Sequence, residues 1–398
     1  MQLPEFKREA FVQLCRRLAE PRRFLQALTG PRQVGKTTLV LQVVNDLGLP
    51  YHYVSADLPA PPGPEWVAVH WDQARRTAGQ SGTCVLVLDE VQKVDRWSEV
   101  VKAHWDEDAR EGRDVRVVLL GSAALMVQHG LAESLAGRFE LLTLPHWSFA
   151  ECEACFGWDL DRYLYFGGYP GAATLAGEED RWAAHVRDAL IETTLSRDVL
   201  MLNPVHKPAL LRRMFATACA YGGQILSYQK LVGQLQDAGN TTTLAHYQRL
   251  FEAAHLLVGV PKWHGLSTPV RASSPKWLPL NTALMTAASR RSFDAWRENH
   301  EAWGRLVEVA VGAHIVNTGH HDGLAVHYWR EGNDEVDFVV VRNGVLWAIE
   351  VKSGPAKDPF RGLKVFARRY PGTRTLLVGP GGVPLQEFLC RPIGATLR

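Results

Sequence analysis

A short glycine-rich segment places a lysine and a threonine at a spacing that suits phosphate binding. Residues 30–37 read GPRQVGKT. The glycines let backbone N–H groups approach phosphate oxygens, Lys36 adds a positive charge for the β- and γ-phosphates, and Thr37 offers a hydroxyl to Mg2+. The motif therefore predicts a site for ATP and Mg2+, and the alternative is a chance match in a glycine-rich loop. The predicted nucleotide-binding residues are Gly30, Pro31, Arg32, Gln33, Val34, Gly35, Lys36, Thr37 and Thr38.

Two carboxylates follow an apolar run further along the chain. Residues 85–90 read VLVLDE, a pattern typical of a buried parallel strand that ends in acids. Asp89 would join Thr37 as a metal-binding residue, and Glu90 would polarise the attacking water. The alternative is an acidic strand end that faces solvent. Together with the glycine-rich segment, this pattern predicts ATP hydrolysis.

Two further residues are candidates for acting on the γ-phosphate. Ser122 follows an apolar run and can orient the water or contact the phosphate as a sensor, or it can simply cap a helix. Arg138 ends the stretch SLAGR, which is predicted to be a surface loop. An arginine there can reach the ATP of a neighbouring subunit as a trans-acting finger, and the alternative is an ordinary surface arginine. With Glu90, these two residues complete the predicted catalytic set.

A second group of charged residues lies near the C-terminus. Asp337 and Glu350 fall on two strands of a predicted meander, so both carboxylates can reach one edge, and Lys352 shares a face with Glu350. Glu308 lies in an apolar helical stretch, where a bare charge would be costly unless it were paired or metal-bound. Such a set can bind a divalent metal that activates water against a phosphodiester. The alternatives are a strand pair joined by salt bridges and a nuclease-shaped domain that binds DNA but cleaves poorly.

The middle of the chain shows a helix-turn-helix pattern. Ser227 is predicted to cap a helix that runs to about Gln236, and a second helix is predicted from about Thr241 to Ala254. The apolar stretch at 256–260 can form a β-wing. The exposed side of the second helix can contact phosphates or base edges of DNA, or the fold can serve only packing or protein contacts. The candidate DNA contacts are Thr241, Thr242, Thr243, His246 and Arg249.

Apolar periodicity indicates the elements that must position these residues. Strands alternate with helices in the first 150 residues, which favours an α/β fold with a parallel sheet. The predicted strands lie at 24–30, 51–55, 83–90 and 115–123.

The remainder of the chain has a different pattern. Residues 180–260 are mostly helical in periodicity. Residues 326–352 alternate as a β-meander, followed by a predicted helix at 361–370 and a predicted strand at 373–379. The layout is therefore an ATPase module, a helical middle and a C-terminal α/β domain.

The composition limits the class of protein. The chain has 398 residues, 46% of them hydrophobic and 22% charged, and a net charge of +2. This length predicts two or three domains, and the composition is that of a globular chain rather than a disordered or collagen-like one. Because the sequence shows no signal-peptide core and no apolar run long enough to span a bilayer, we expect a cytoplasmic protein with no membrane partner.

The motifs together resemble those of a large prokaryotic family of AAA+ ATPases that carry a C-terminal restriction-endonuclease-like domain of the PD-(D/E)xK type. The resemblance spans nearly the whole chain, with its motifs in family order. They are GPRQVGKTTL, LVLDEVQKV, GSAAL, SLAGR, GGYP, YWREGNDEVDF and AIEVKSG.

The resemblance implies four regions and a set of roles. Residues 1–160 would form the AAA+ P-loop core, 161–215 a helical lid, 216–270 a winged-helix domain and 271–398 the nuclease-like domain. It implies ATP and Mg2+ as cofactors, duplex or branched DNA as partner, and a homo-oligomer such as a hexamer. The sequence departs from the family in one respect: no clear second-sensor arginine is present, and Arg197 is only a candidate.

Three functions remain open from the sequence. The first is an ATP-driven oligomer that acts on DNA as a motor for translocation or branch migration. The second is an ATP-regulated, metal-dependent nuclease that uses Asp337, Glu350 and Lys352. The third is a signalling or defence protein that ATP switches between states.

Overall fold

A computed structural model describes residues 3–121, 134–200, 205–235, 239–265, 273–355 and 357–398. The chain divides into two units, Met1–Leu144 and Pro145–Arg398, and each is described by itself.

The first unit alternates helices and strands around a parallel sheet. Its described helices are α1 (Ala10–Ala19), α2 (Lys36–Asp46), α3 (Glu65–Ser81) and α4 (Trp97–Glu111). Its described strands are β1 (Leu25–Thr29), β2 (Tyr51–Ser55), β3 (Cys84–Asp89), β4 (Val115–Gly121) and β5 (Phe139–Thr143). The strands pair in the order β2-β3-β4-β1-β5, and every neighbouring pair is parallel. The predicted α/β sheet is therefore confirmed.

The carboxyl ends of three strands meet at one edge of this sheet. Strands β1 and β3 are buried along their whole length, and β3 is apolar from Cys84 to Leu88, as is typical of a parallel strand covered on both faces. The register pairs Thr29 of β1 with Gly121 of β4, and Asp89 of β3 with Leu120 of β4. The segment that follows β1 and the acids that end β3 therefore lie at the same edge, separated only by β4.

Helices dominate the start of the second unit. Its described helices up to residue 253 are α5 (Phe149–Phe156), α6 (Leu160–Phe166), α7 (Pro170–Ala173), α8 (Glu179–His185), α9 (Pro208–Ala220), α10 (Tyr228–Gln234) and α11 (Thr241–Ala253). After α8 the backbone continues as two π-helical segments, Val186–Glu192 and Thr194–Leu200. The helical character predicted for residues 180–260 is thus present in the described part of that range.

The two predicted helices and the strand after them occur in that order, and residues 236–238 between the helices lie outside the described residues. The Ser227 side chain accepts a hydrogen bond from the Lys230 N–H at 3.2 Å and starts α10, and Asn240 caps α11 in the same way. Strand β6 (Leu257–Val260) follows and pairs in antiparallel fashion with β7 (Lys276–Pro279). The assignment of this region as a winged helix stays a prediction.

A second sheet lies toward the C-terminus. Its strands are β8 (Val326–Glu331), β9 (Asp334–Arg342), β10 (Val345–Val351) and β11 (Arg374–Val378), in the order β11-β10-β9-β8. The described helices of this part are α12 (Ala283–Thr286), α13 (Phe293–Glu298), α14 (His300–Gly319), α15 (Arg361–Arg369), α16 (Leu385–Cys390) and α17 (Ile393–Thr396). The predicted meander, the helix after it and the last strand are all found. Among the described residues, no helix is long and apolar enough to cross a bilayer.

Candidate functional site

The glycine-rich segment forms a tight loop between β1 and α2. Gly30 has φ 148°, and a Cβ there would lie 2.1 Å from the carbonyl oxygen of Leu144. Gly35 has φ 90° and precedes α2, whose first residue is Lys36. Both conformations favour glycine. The loop therefore delivers the N-terminus of α2, with its partial positive charge, to the edge of the sheet.

Lys36, Thr37 and Asp89 are brought together at this edge. The Lys36 ammonium donates to the carbonyl oxygens of Gly30 and Pro31 at 2.9 and 2.8 Å, so it is held over the loop. The Thr37 hydroxyl donates to Asp89 Oδ2 at 2.9 Å. A hydroxyl and a carboxylate in contact beside a lysine are the donor set that fits Mg2+ carried on nucleotide phosphates.

Two residues that the sequence did not single out hold the acids in place. The Tyr53 hydroxyl donates to Asp89 Oδ2 at 2.8 Å, and burial together with the negative charge of Asp89 raises the pKa of Tyr53, which keeps it a neutral donor. The Gln92 amide donates to Glu90 Oε2 at 2.7 Å. Glu90 itself adopts φ 55°, a conformation that non-glycine residues rarely take. The alternating sequence at residues 51–55 predicts the strand that carries Tyr53. It does not predict that this strand pairs with β3, because that pairing depends on the fold of the whole sheet.

The C-terminal charged residues also come together. Strands β9 and β10 pair in antiparallel register up to Phe338 opposite Ile349, and Asp337 and Glu350 are the next residues on the two strands. The N–H of Val351 donates to Asp337 Oδ2 at 2.8 Å, and the Lys352 ammonium lies 2.5 Å from Glu350 Oε1. The predicted two-strand carboxylate pair is therefore present.

A buried lysine that sequence reasoning missed lies in the middle of this cluster. Lys276, on β7, is ion-paired with Glu308 of α14, and its ammonium lies 3.3 Å from Asp337 Oδ1 and 3.5 Å from Glu335 Oε1. Its side chain is 1% exposed. Burial alone would lower the pKa of Lys276, but the surrounding carboxylates raise it, so the amine stays charged. Its only sequence signal was a lysine at the start of the apolar run KWLPL.

Lys276 contacts two of the carboxylates that the sequence assigned to a metal site, Glu308 and Asp337. Among the residues that the structure describes, no group of three or more His, Cys, Asp or Glu side chains is arranged to hold a metal. Burial raises the pKa of Glu308 to about 7 and that of Glu350 to about 8, and the negative charge of Asp337 acts in the same direction on both. The cluster does not fit a divalent cation while Lys276 is present.

The five candidate DNA contacts lie on or near the exposed side of α11. Thr241, Thr242 and Arg249 are exposed, whereas Thr243 and His246 are half-buried. The Thr243 hydroxyl already donates to the Asn240 side chain at 3.1 Å as part of the helix cap. On the other side of the helix, apolar residues are buried. Only three of the five candidate side chains are therefore exposed and free of the helix cap, which leaves a smaller surface for DNA than the sequence indicated.

Comparison with known families assigns the first unit. Residues 22–153 match the family model described as an AAA domain, and they contain the loop, β3 and both acids. This part of the chain is therefore similar to an AAA domain. The rest of the chain matches two models described as domains of unknown function, DUF8612 over residues 157–295 and DUF4143 over residues 303–387.

Two mycobacterial proteins are similar to the chain over most of its length. They are uncharacterized protein Rv2008c of Mycobacterium tuberculosis and uncharacterized protein Mb2031c of Mycobacterium bovis. Each is 27% identical over 359 residues, covering 89% of this chain and 76% of the relative.

Solved structures give weaker likenesses. The Thermotoga maritima RuvB Holliday junction branch migration motor is 17% identical, with a TM-score of 0.33, and the match covers 63% of this chain and 86% of that one. The Aeropyrum pernix Orc1 protein in complex with DNA is 15% identical, with a TM-score of 0.34, and the match covers 74% of this chain and 95% of that one.

One predicted catalytic residue, Arg138, does not join Asp89 and Lys36. Ser122 lies outside the described residues. Arg138 precedes β5, and its backbone oxygen accepts a hydrogen bond from the N–H of Leu25, at the amino end of β1. That is the edge of the sheet opposite the loop. Its guanidinium makes a two-point contact with Asp106 of α4, at 2.8 and 3.0 Å.

Proposed function

We propose that this protein hydrolyses ATP with Mg2+ and that its second unit acts on DNA, within a homo-oligomer that binds ATP between subunits. The observation that carries the ATPase part is the 2.9 Å contact between the Thr37 hydroxyl and Asp89. Two motifs far apart in the sequence meet there, with Lys36 held beside them. A chance match in a glycine-rich loop would not produce this meeting.

Each residue of the site has a distinct task in this proposal. The backbone N–H groups of the loop and Lys36 bind and orient the β- and γ-phosphates. Thr37 and Asp89 would hold Mg2+, which when bound neutralises charge on the phosphates. Glu90 accepts the proton of the attacking water, and Gln92 orients its carboxylate.

The DNA part of the proposal is supported by α11. Thr241, Thr242 and Arg249 are exposed hydrogen-bond donors on a capped helix, and α10 precedes that helix in the chain. Such a helix suits contacts to phosphates or base edges. Translocation or branch migration would be the outcome of coupling this surface to ATP turnover.

The nuclease alternative is disfavoured by Lys276. A metal-dependent cleavage site needs carboxylates that are free to bind a cation, and Glu308 and Asp337 are already ion-paired with the buried ammonium of Lys276. The ion pairs of Lys276 favour the alternative of a nuclease-shaped domain that binds DNA but cleaves poorly.

The test is steady-state ATP hydrolysis with and without duplex, forked and four-way DNA. Glu90→Gln should bind ATP but turn it over at least ~100-fold more slowly, because the general base is lost. Lys36→Ala should lose ATP binding. Glu99→Gln, on the exposed face of α4, is the matched control and should behave as the wild type.

Stimulation by one DNA structure, absent in both site variants, would support a DNA-coupled ATPase. Normal turnover in Glu90→Gln would remove the assigned base. A wild-type rate that ignores every DNA, with no DNA binding in any nucleotide state, would leave the ATPase assignment standing and overturn the DNA part.

A further inference from the structure

The second unit contains an open cleft whose lining is basic and rich in hydroxyl groups. Its volume is about 470 Å³. We call it the basic cleft. It is lined by Ile225, Lys262, His264, Ser273, Ser274, Tyr328, Arg330 and Gly332. No residue of α11 contributes to it.

Backbone pairing fixes the position of its charged residues. The chain leaving β6 runs beside β8, because the N–H of Trp263 donates to the Tyr328 oxygen at 2.6 Å and the N–H of Tyr328 donates to the Pro261 oxygen at 3.0 Å. Trp263 is buried, so its neighbour Lys262 is directed to the cleft by the alternation of an extended chain. Arg330 lies two residues after Tyr328 on β8 and shares its face.

The positive charges of the cleft are weakly compensated. The guanidinium of Arg330 is 3.8 Å from Glu335, and that carboxylate is shared with Lys276 at 3.5 Å. Within the described ranges, Lys262 and His264 take part in no ion pair. Basic side chains without partners at a surface attract anions, and they do so more strongly when they converge on one concave site.

The hydroxyl groups add neutral donors and acceptors. Tyr328 donates to the backbone oxygen of Ser274 at 2.6 Å, which holds the rim of the cleft against β8. Ser273 and Ser274, which also carry hydroxyl groups, line the same cleft as Lys262 and Arg330. Lysine, arginine and hydroxyl side chains are the groups that contact the phosphates and sugars of nucleic acids.

One residue of the cleft, Lys262, lies close to α11 along the chain. Helix α11 leads through β6 directly to Lys262. An open cleft suits a polymer that passes through it better than a small molecule that must be enclosed. We infer that the basic cleft binds the phosphodiester backbone of DNA. This inference rests on the proposed function of the second unit and adds to it a backbone site separate from α11.

The experiment compares DNA binding by the full-length wild type and by the double variant Lys262→Ala/Arg330→Ala. Fluorescence anisotropy with a labelled duplex of arbitrary sequence is measured over a range of salt concentrations. Each lost phosphate contact should reduce the slope of log K against log salt by about 0.9, so the double variant should lose about 1.8, with at least roughly tenfold weaker binding at 0.1 M salt.

The control variant removes the same charge elsewhere in the unit. Arg181→Ala/Arg297→Ala replaces two arginines whose side chains are 66% and 58% exposed and which do not line the cleft. It should bind as the wild type does. The exchange Lys262→Arg/Arg330→Lys keeps both charges and should also keep the slope of log K against log salt. Thermal melting of each variant shows whether it is folded, so that loss of charge can be distinguished from misfolding.

The outcomes distinguish the cleft from the proposed function. If the wild type binds DNA and the double alanine variant binds with an unchanged slope, the cleft inference is overturned and the DNA-acting function stands. If the wild type binds no DNA, both the cleft inference and the proposed DNA-acting function are overturned. If millimolar orthophosphate at matched ionic strength displaces the duplex fully, the cleft is a small-anion site and the inference is again overturned.

Discussion

Lys276 places a positive charge among three carboxylates, with its side chain almost completely excluded from water. An ammonium group in such a position is stable only while its partners remain, and the partners depend equally on it. The lysine and the carboxylates therefore act as one unit. This is why a set of residues that looks metal-binding in the sequence forms an internal ion network in the fold.

Replacing Lys276 tests this interpretation. Lys276→Met should destabilise the protein by about 3–5 kcal/mol in urea unfolding, because Glu308 and Asp337 lose the charge that offsets their burial. Mn2+ should restore part of that stability, since the freed carboxylates can then bind a cation, whereas it should not stabilise the wild type without nucleotide. Lys364→Met, at an exposed position, should change stability by less than ~0.5 kcal/mol. Equal stabilisation of the wild type and Lys276→Met by Mn2+ would show that a metal site exists despite the lysine.

The raised pKa of Glu350 predicts a pH dependence of stability. Burial and the charge of Asp337 raise this pKa from 4.5 to about 8, against the opposing effect of Lys352. The folded state therefore holds a proton that the unfolded state releases, and this contribution is complete below pH ~4.5 and lost as the pH rises toward 8. Between pH 5 and 8, wild-type stability should fall more steeply than that of Glu350→Gln, in urea titrations at each pH. Parallel curves would contradict the assignment.

At the scale of elements, the loop between β1 and α2 depends on the close approach of another part of the sheet. The backbone oxygen of Leu144, just after β5, lies where a Cβ of Gly30 would be. The N–H of Leu144 in turn donates to the Thr29 oxygen at 2.7 Å, so neither segment can move away freely. The shape of the phosphate-binding loop is thus fixed by strand pairing as well as by its own sequence.

Gly30→Ala should therefore damage ATP binding. A methyl group 2.1 Å from a backbone oxygen forces the loop or the end of β5 to shift, and the φ of 148° is unfavourable for alanine. We expect at least ~10-fold weaker nucleotide binding in equilibrium titration and a loss of ~1–3 kcal/mol in stability. Gly79→Ala is the matched control, since it lies in α3 with open space around it and should be neutral or stabilising by ~0.5–1 kcal/mol. Unchanged nucleotide binding by Gly30→Ala would show that the loop tolerates the shift.

Local patterns in the sequence were sufficient to predict most strands and helices and part of the two candidate sites. The loop at residues 30–37 and the acids after β3 could be predicted because consecutive residues carry the signal. The meander was predictable because alternation and the turn at Asn343 and Gly344 fix its register, with φ of 50° and 76°. Tyr53, Lys276 and the Asp106 partner of Arg138 could not be predicted, because each contact joins elements whose pairing depends on the whole sheet or on tertiary packing.

At the scale of the whole molecule, the position of Arg138 decides whether this arginine can act on ATP bound to its own chain or only on ATP bound to a neighbouring subunit. Lys36 and Asp89 lie at the carboxyl ends of the strands, whereas Arg138 lies at the amino ends of β1 and β5. A single chain cannot use this arginine on its own phosphates without dismantling the sheet. If Arg138 takes part in hydrolysis, it does so on the ATP of a neighbouring subunit, after release from Asp106.

Mixing two inactive variants tests this arrangement. Arg138→Ala keeps an intact phosphate site and lacks the finger, and Lys36→Ala lacks the phosphate site but keeps the finger. Each alone should have at most ~1% of wild-type ATP turnover, since a finger contributes about 10³–10⁵ in rate and Lys36 is needed to bind the phosphates. Mixed after subunit exchange, they should recover measurable turnover, because some interfaces then join an intact site to an intact Arg138. Asp106→Ala, which frees the guanidinium, should retain activity. Mixed oligomers that form but stay inactive would show that Arg138 is not a trans-acting finger, and its contact with Asp106 would then be its whole role.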